Sequence, residues 1–163
     1  MERNIKKSNR KIIDIKFDCD ESFKTKKIKI FVKKSVDQIL EILEYKKRKT
    51  YVSVFLTNNE EIKKINSKYR KINKSTNVLS FPQNEKRMII NLENYLVLGD
   101  IVISLEKIFA EANEQKKNFF DHLLHMIVHS TLHLYGFDHT NQKESIVMET
   151  KEKDIMKKIL SDL

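Results

Sequence analysis

The chain has 163 residues and a mass of 19.4 kDa, room for one domain around one core. It carries 32 Lys+Arg against 23 Asp+Glu, and the net charge of +9 favours a polyanionic partner, most often nucleic acid. A single cysteine, Cys19, excludes a disulfide framework and a cysteine-cluster zinc site; no apolar run is long enough to span a membrane, and Met1–Lys11 lacks the apolar stretch of a secretory signal, so the expected location is cytoplasmic.

Residues 1–11 read as a basic flexible arm, with a single domain over 12–163. Ile13, Ile15 and Phe17 alternate with Asp14, Lys16 and Asp18, which predicts a strand over Ile12–Asp18. Ile28, Val32, Val36, Ile39 and Leu43 recur at helical spacing between Lys26 and Glu44. Tyr51–Leu56 is β-branched and aromatic and predicts a strand. Asn58 or Asn59 can cap a helix running to Arg70. Val78–Phe81 is a short strand stopped by Pro82. Residues 83–94 read as a loop, and Leu96–Ile103 as a strand containing Gly99. Ser104 caps a helix bearing Leu105, Ile108, Phe109 and Ala112. Asn118–Tyr135 is apolar on nearly every side and predicts the buried helix. Asn141 with Glu144 forms a capping-box pattern for a last helix ending near Leu160. The expected fold is α+β, a small mixed sheet of about four strands packed with about five helices.

All five histidines lie between 122 and 139. His129 and His133 are four apart, so they share one helical face and can meet one metal ion. Gly136 stands where a left-handed residue would end the helix. The chain can then turn back and deliver His139 as a third ligand. Three imidazoles on a tetrahedral ion leave a fourth position for water, the arrangement of a catalytic zinc site. One Zn2+ per chain is expected, although three imidazoles also admit other divalent ions. Asp138 can hold a ligand histidine in its tautomer. His125 reads as a polar neighbour or substrate contact, and His122 as a solvated or capping residue. The spacing also reproduces the three histidines and the glycine of the metzincin proteases. Ser130 stands where those enzymes carry their general-base glutamate, so the ligand geometry carries over without the protease chemistry.

The stretch His129-Ser-Thr-Leu-His133-Leu-Tyr-Gly136-Phe-Asp138-His139 resembles the H-G-x-L-H-L-x-G-Y-D-H signature of the bacterial YbeY family, the ribosomal RNA maturation endoribonucleases. Two upstream blocks are similar to the same family. Asn66-Ser-Lys-Tyr69-Arg70 followed by Thr76-Asn-Val78-Leu79-Ser80-Phe81-Pro82 matches its N-x-x-Y-R…T-D-V-L-S-F-P. Leu98-Gly99-Asp100-Ile101 matches its L-G-D-I. The resemblance spans residues 12–160. It implies a zinc-binding α+β fold and cleavage of single-stranded RNA. It further implies maturation of the 3′ end of small-subunit 16S ribosomal RNA and ribosome quality control. The expected partners are ribosomal RNA and the small ribosomal subunit. Two departures stand out: Ser130 replaces a glycine, and Asn77 replaces the family aspartate.

Cleaving RNA develops negative charge at the phosphorus, which a fixed guanidinium can stabilise bidentately. Arg70 closes the second predicted helix and matches the arginine of the family motif, so it is the expected catalytic phosphate-binding residue. Tyr69 is expected in the core rather than as a base-stacking platform. The basic runs at 26–27, 33–34, 46–49, 63–64 and 116–117 would together supply salt-dependent RNA affinity. An alternative class is a ribosome-associated RNA-binding assembly factor with structural zinc and little nuclease activity, for which Cys19 could be a fourth ligand.

Overall fold

The computed structural model describes residues 11–43, 49–83, 89–90 and 95–162. The expected arm over 1–10 lies outside the described residues, and Lys11 already opens the first strand. The elements in order are β1 (Lys11–Asp18), α1 (Lys26–Ile42), β2 (Thr50–Thr57), α2 (Asn59–Arg70), β3 (Val78–Pro82), β4 (Ile89–Ile90), β5 (Tyr95–Ser104), α3 (Leu105–Glu114), α4 (Phe119–Leu134) and α5 (Gln142–Ser161). One 3-10 turn at Glu21–Phe23 leads into α1.

The helix starts are written in side chains. Asn58 Oδ1 accepts from the Glu61 N–H, Ser104 Oγ from Lys107, and Asn141 Oδ1 from Glu144. At α5 the capping box is only half made, because the Glu144 carboxylate accepts from the Thr140 hydroxyl.

The sheet runs β1-β2-β5-β3. β1, β2 and β5 are parallel, and β3 is antiparallel to β5. The short β4 also pairs with β5, antiparallel, inside the segment read as a loop. Two residues are too few to leave a period-two signal, so the sequence could not disclose it.

Ile101 and Ile103 of β5 enter the main core with Val36, Ile39 and Leu40 of α1 and Leu123, Ile127 and Leu132 of α4. α4 is the buried helix, as its composition predicts. Val102 points the other way and joins Ile62 of α2 and Leu79 of β3 in a smaller cluster. α2 therefore covers the face of the sheet opposite α4. β3 is the hinge between the two faces: Leu79 serves α2, while the Ser80 hydroxyl donates to the Ser130 carbonyl of α4 at 3.2 Å.

Gly99 permits this close approach. It adopts φ +140, and a Cβ there would stand 2.2 Å from the Phe81 carbonyl oxygen and 3.0 Å from Leu134 Cδ2. Only glycine fits between β3 and the end of α4.

Candidate metal centre

α4 begins at Asn118, whose side chain accepts from Phe120 N–H at 2.8 Å. It ends in a Schellman cap: Phe137 N–H donates to Leu132 C=O at 3.2 Å and Gly136 N–H to His133 C=O at 3.0 Å. Gly136 takes φ +90, which a glycine holds without strain. The reversal brings His139 back over the helix end. Its ring centroid lies 5.7 Å from that of His129 and 5.1 Å from that of His133. Donor atoms of the three imidazoles all fall within 4.8 Å of one another. The H-x3-H-x5-H spacing thus closes into one cluster, as the sequence predicts.

The ring nitrogens are sorted by their neighbours. His133 Nδ1 donates to the Phe137 carbonyl at 2.9 Å, and a carbonyl can only accept. Its Nε2 is therefore a lone pair in the neutral ring. His129 Nδ1 donates to Glu152 Oε1 at 2.5 Å, which frees its Nε2 in the same way. The two Nε2 atoms face each other at 3.1 Å. Two facing lone pairs repel unless a cation or proton sits between them. Nitrogen ligands on a tetrahedral zinc stand about 3.3 Å apart, given Zn–N bonds of about 2.0–2.1 Å. The donor set fits such an ion.

Electrostatics prepares the same state. Burial, and then the neighbouring His129, push the His133 imidazole below its ordinary range, towards the neutral form that a metal needs. Burial opposes the charge of Glu152, but hydrogen bonds from His125 and His129 outweigh it and hold its carboxyl at about 2. Glu152 stays an acceptor wherever the protein is folded near neutrality.

Glu152 is the functional residue that the sequence reading missed. It lies on α5, and its second oxygen meets His125 Nε2 at 3.2 Å. A signal was available: the buried stripe of α5 is Met148, Glu152, Ile155 and Ile159, and a carboxylate interrupts it. Asp138, expected to brace a ligand ring, instead accepts from the His139 backbone N–H at 2.8 Å. His122 is not solvated. It is 4% exposed, with Nε2 at 2.8 Å from Glu111 Oε2. The same carboxylate accepts from Asn77 Nδ2 at 3.2 Å. Asn77 thus donates where an aspartate would set two carboxylates together.

Other expectations fall outside the cluster. Cys19 is buried in the core at the end of β1 and is not one of the clustered donors. Tyr69 is 62% exposed and packs edge-on against Phe81, so it is not a core residue. A tyrosine in the last turn of a polar helix, one residue before its end, lacks a covering element. Arg70 ends α2, is exposed, and forms no ion pair among the described residues. It is not among the residues lining the histidine cleft. Seven residues on, Asn77 is, so the α2–β3 connection leads from Arg70 round the edge strand to the cleft. That cleft, about 340 Å3, is walled by α4 and α5 and includes His125, His129, His139, Met148 and Glu152.

A sequence profile described as Endoribonuclease YbeY matches residues 14–160. The chain belongs to the YbeY family. A YbeY endoribonuclease of Buchnera aphidicola is 39% identical over 145 residues, 89% of this chain and 88% of its own length. One of Bartonella bacilliformis is 47% identical over 108 residues, 66% of this chain and 67% of its own. The solution structure of TM1509 from Thermotoga maritima superposes with a TM-score of 0.61 at 24% identity, covering 93% of this chain and 91% of that one. At that identity the likeness concerns the fold. No helix among the described residues is long and apolar enough to cross a membrane.

Proposed function

We propose that residues 12–163 form a zinc-dependent endoribonuclease that cleaves single-stranded RNA. The observation that carries this reading is the pair of Nε2 lone pairs converging at 3.1 Å in a chain of the YbeY family. His129, His133 and His139 would hold one zinc ion. When bound, the ion would polarise a phosphoryl oxygen or lower the pKa of water. Glu152 and the Phe137 carbonyl fix the two helical ligands in the required tautomer. Arg70 is the guanidinium that would stabilise charge developing on the phosphate. The biological substrate is ribosomal RNA, with maturation of the 16S 3′ end and quality control of the small subunit in the cytoplasm as the process.

Peptide hydrolysis is disfavoured at the position that would supply its base. Ser130 is fully buried, and its hydroxyl donates to the carbonyls of Met126 and Ile127. A structural-zinc assembly factor would want a fourth protein ligand, and the clustered donors among the described residues are three. The test uses purified protein with and without stoichiometric zinc, offered single-stranded RNA or casein. Zinc-dependent RNA cleavage with intact casein supports the reading. Casein cleavage without RNA cleavage reverses it, and chelation that unfolds the protein with no cleavage of either favours the assembly factor.

A further inference from the structure

The histidine cleft does not end at His125. That residue also borders a second cavity of about 410 Å3, at the other end of α4. Its lining includes Lys116, Lys117, Asp121, His122, His125 and Met156. The two hollows therefore adjoin at His125 along α4 and α5, with the metal ligands on one side and two lysines on the other. His122 and His129 are seven residues apart on α4, about 10 Å of helix.

The far end is built for an anion. Lys116 and Lys117 follow one another in the α3–α4 turn, where Lys117 N–H donates to Ala112 C=O at 2.8 Å and Lys116 takes φ +54. Neither ammonium pairs with a carboxylate among the described residues. Asp121 offsets one lysine, which leaves the cavity net cationic. In the connecting part, the Glu152 carboxylate is already occupied by two imidazoles.

We infer that the cavity at Lys116 and Lys117 is a second subsite for the RNA strand, holding a backbone phosphate beyond the scissile bond. The strand lies along α4 and α5, one stretch at the histidine cluster and the next at the lysine turn. This rests on RNA being the substrate, and it assigns that substrate a direction across the protein surface. RNA too short to reach the turn then gains nothing from it.

The test compares the zinc-loaded wild type with Lys116→Asn/Lys117→Gln. Asparagine tolerates positive φ, so the turn survives the loss of charge. Fluorescence anisotropy measures binding of labelled single-stranded RNAs of about 4 and about 12 nucleotides, with gels to verify intact RNA. The longer RNA should bind the variant about tenfold more weakly. Its slope of log affinity against log salt should shrink by about 0.7, the value for one phosphate on a single strand. The shorter RNA should shift by less than about twofold, and Lys29→Gln on α1, outside the basic runs and both cavities, should keep the wild-type length dependence. Wild-type affinity and slope for the longer RNA, or equal losses for both lengths, would overturn the subsite. If the wild type binds neither RNA, the substrate reading itself falls, which is a distinct result.

Discussion

The Nδ1 of His129 and the Oε1 of Glu152, twenty-three positions apart in the chain, meet at 2.5 Å and tie the metal helix to the last helix. The contact fixes the ring's tautomer and its rotation at once. Glu152→Gln keeps the shape but replaces the anionic acceptor. Zinc affinity should fall about 10–100-fold, as is usual when a ligand's hydrogen-bond partner is changed. Competition with a chromophoric chelator measures it; unchanged affinity would make Glu152 a packing residue.

Ligand loss should follow the histidines. Alanine at His129, His133 or His139 should each remove most of about one equivalent of zinc, read by elemental analysis. Full retention in all three would sink the site.

The pH dependence has two windows. His133 is held below its ordinary 6.5, so the unfolded chain binds more protons just below that value. The metal-free protein should therefore lose stability as pH falls through and below about 6.5. The Glu152 carboxyl is lowered from 4.5 to about 2, so its contribution is whole above 4.5 and fades towards 2. Urea melts of the metal-free protein across this range check both. Glu152→Gln should abolish the lower window and keep the upper one.

The two glycines should respond unequally to alanine. At Gly99 the new Cβ meets a backbone oxygen at 2.2 Å, and at Gly136 it meets nothing within 4 Å. Gly136→Ala should cost about 1–2 kcal/mol for the left-handed backbone alone. Gly99→Ala adds overpacking, for a total of about 2–6 kcal/mol. Thermal melts should rank them in that order.

Arg70→Ala should slow RNA cleavage about 10²–10³-fold, equal to about 2.7–4 kcal/mol, and weaken RNA binding far less. Arg70→Lys should recover only part, because an ammonium lacks the planar fork. Cleavage at the wild-type rate under saturating RNA would make Arg70 a helix-end cation.

What could be read from the sequence was whatever depends on near neighbours. Asn58, Ser104 and Asn141 each cap the helix that follows them, and Gly136 closes α4, because these are contacts within a few residues. The three ligands share that property, all falling within one helix and its turn. Glu152 and Glu111 escaped because their partners lie on other elements, distant in the chain. His122 escaped for the same reason: its burial is decided by α3, not by its own helix. The order β1-β2-β5-β3 was beyond reach, since alternation marks a strand without naming its neighbour.

The Schellman cap at Gly136 has a consequence for how the protein assembles. The carbonyl that accepts from His133 belongs to Phe137, the residue whose own N–H closes the helix. Helix termination and ligand orientation are thus one event, completed within a few residues and at little loop-closure entropy. The ion would grip a local hairpin rather than the sheet. An ion at a hundredfold excess over its dissociation constant adds about 2.7 kcal/mol to whatever unit must open to release it. That protection should appear in slowed amide exchange at the end of α4 and across the facing turns of α5. Core amides of the parallel strands, which open only when the whole domain unfolds and the ion leaves, should gain the same increment, whereas openings that keep the ion bound should be unchanged by zinc.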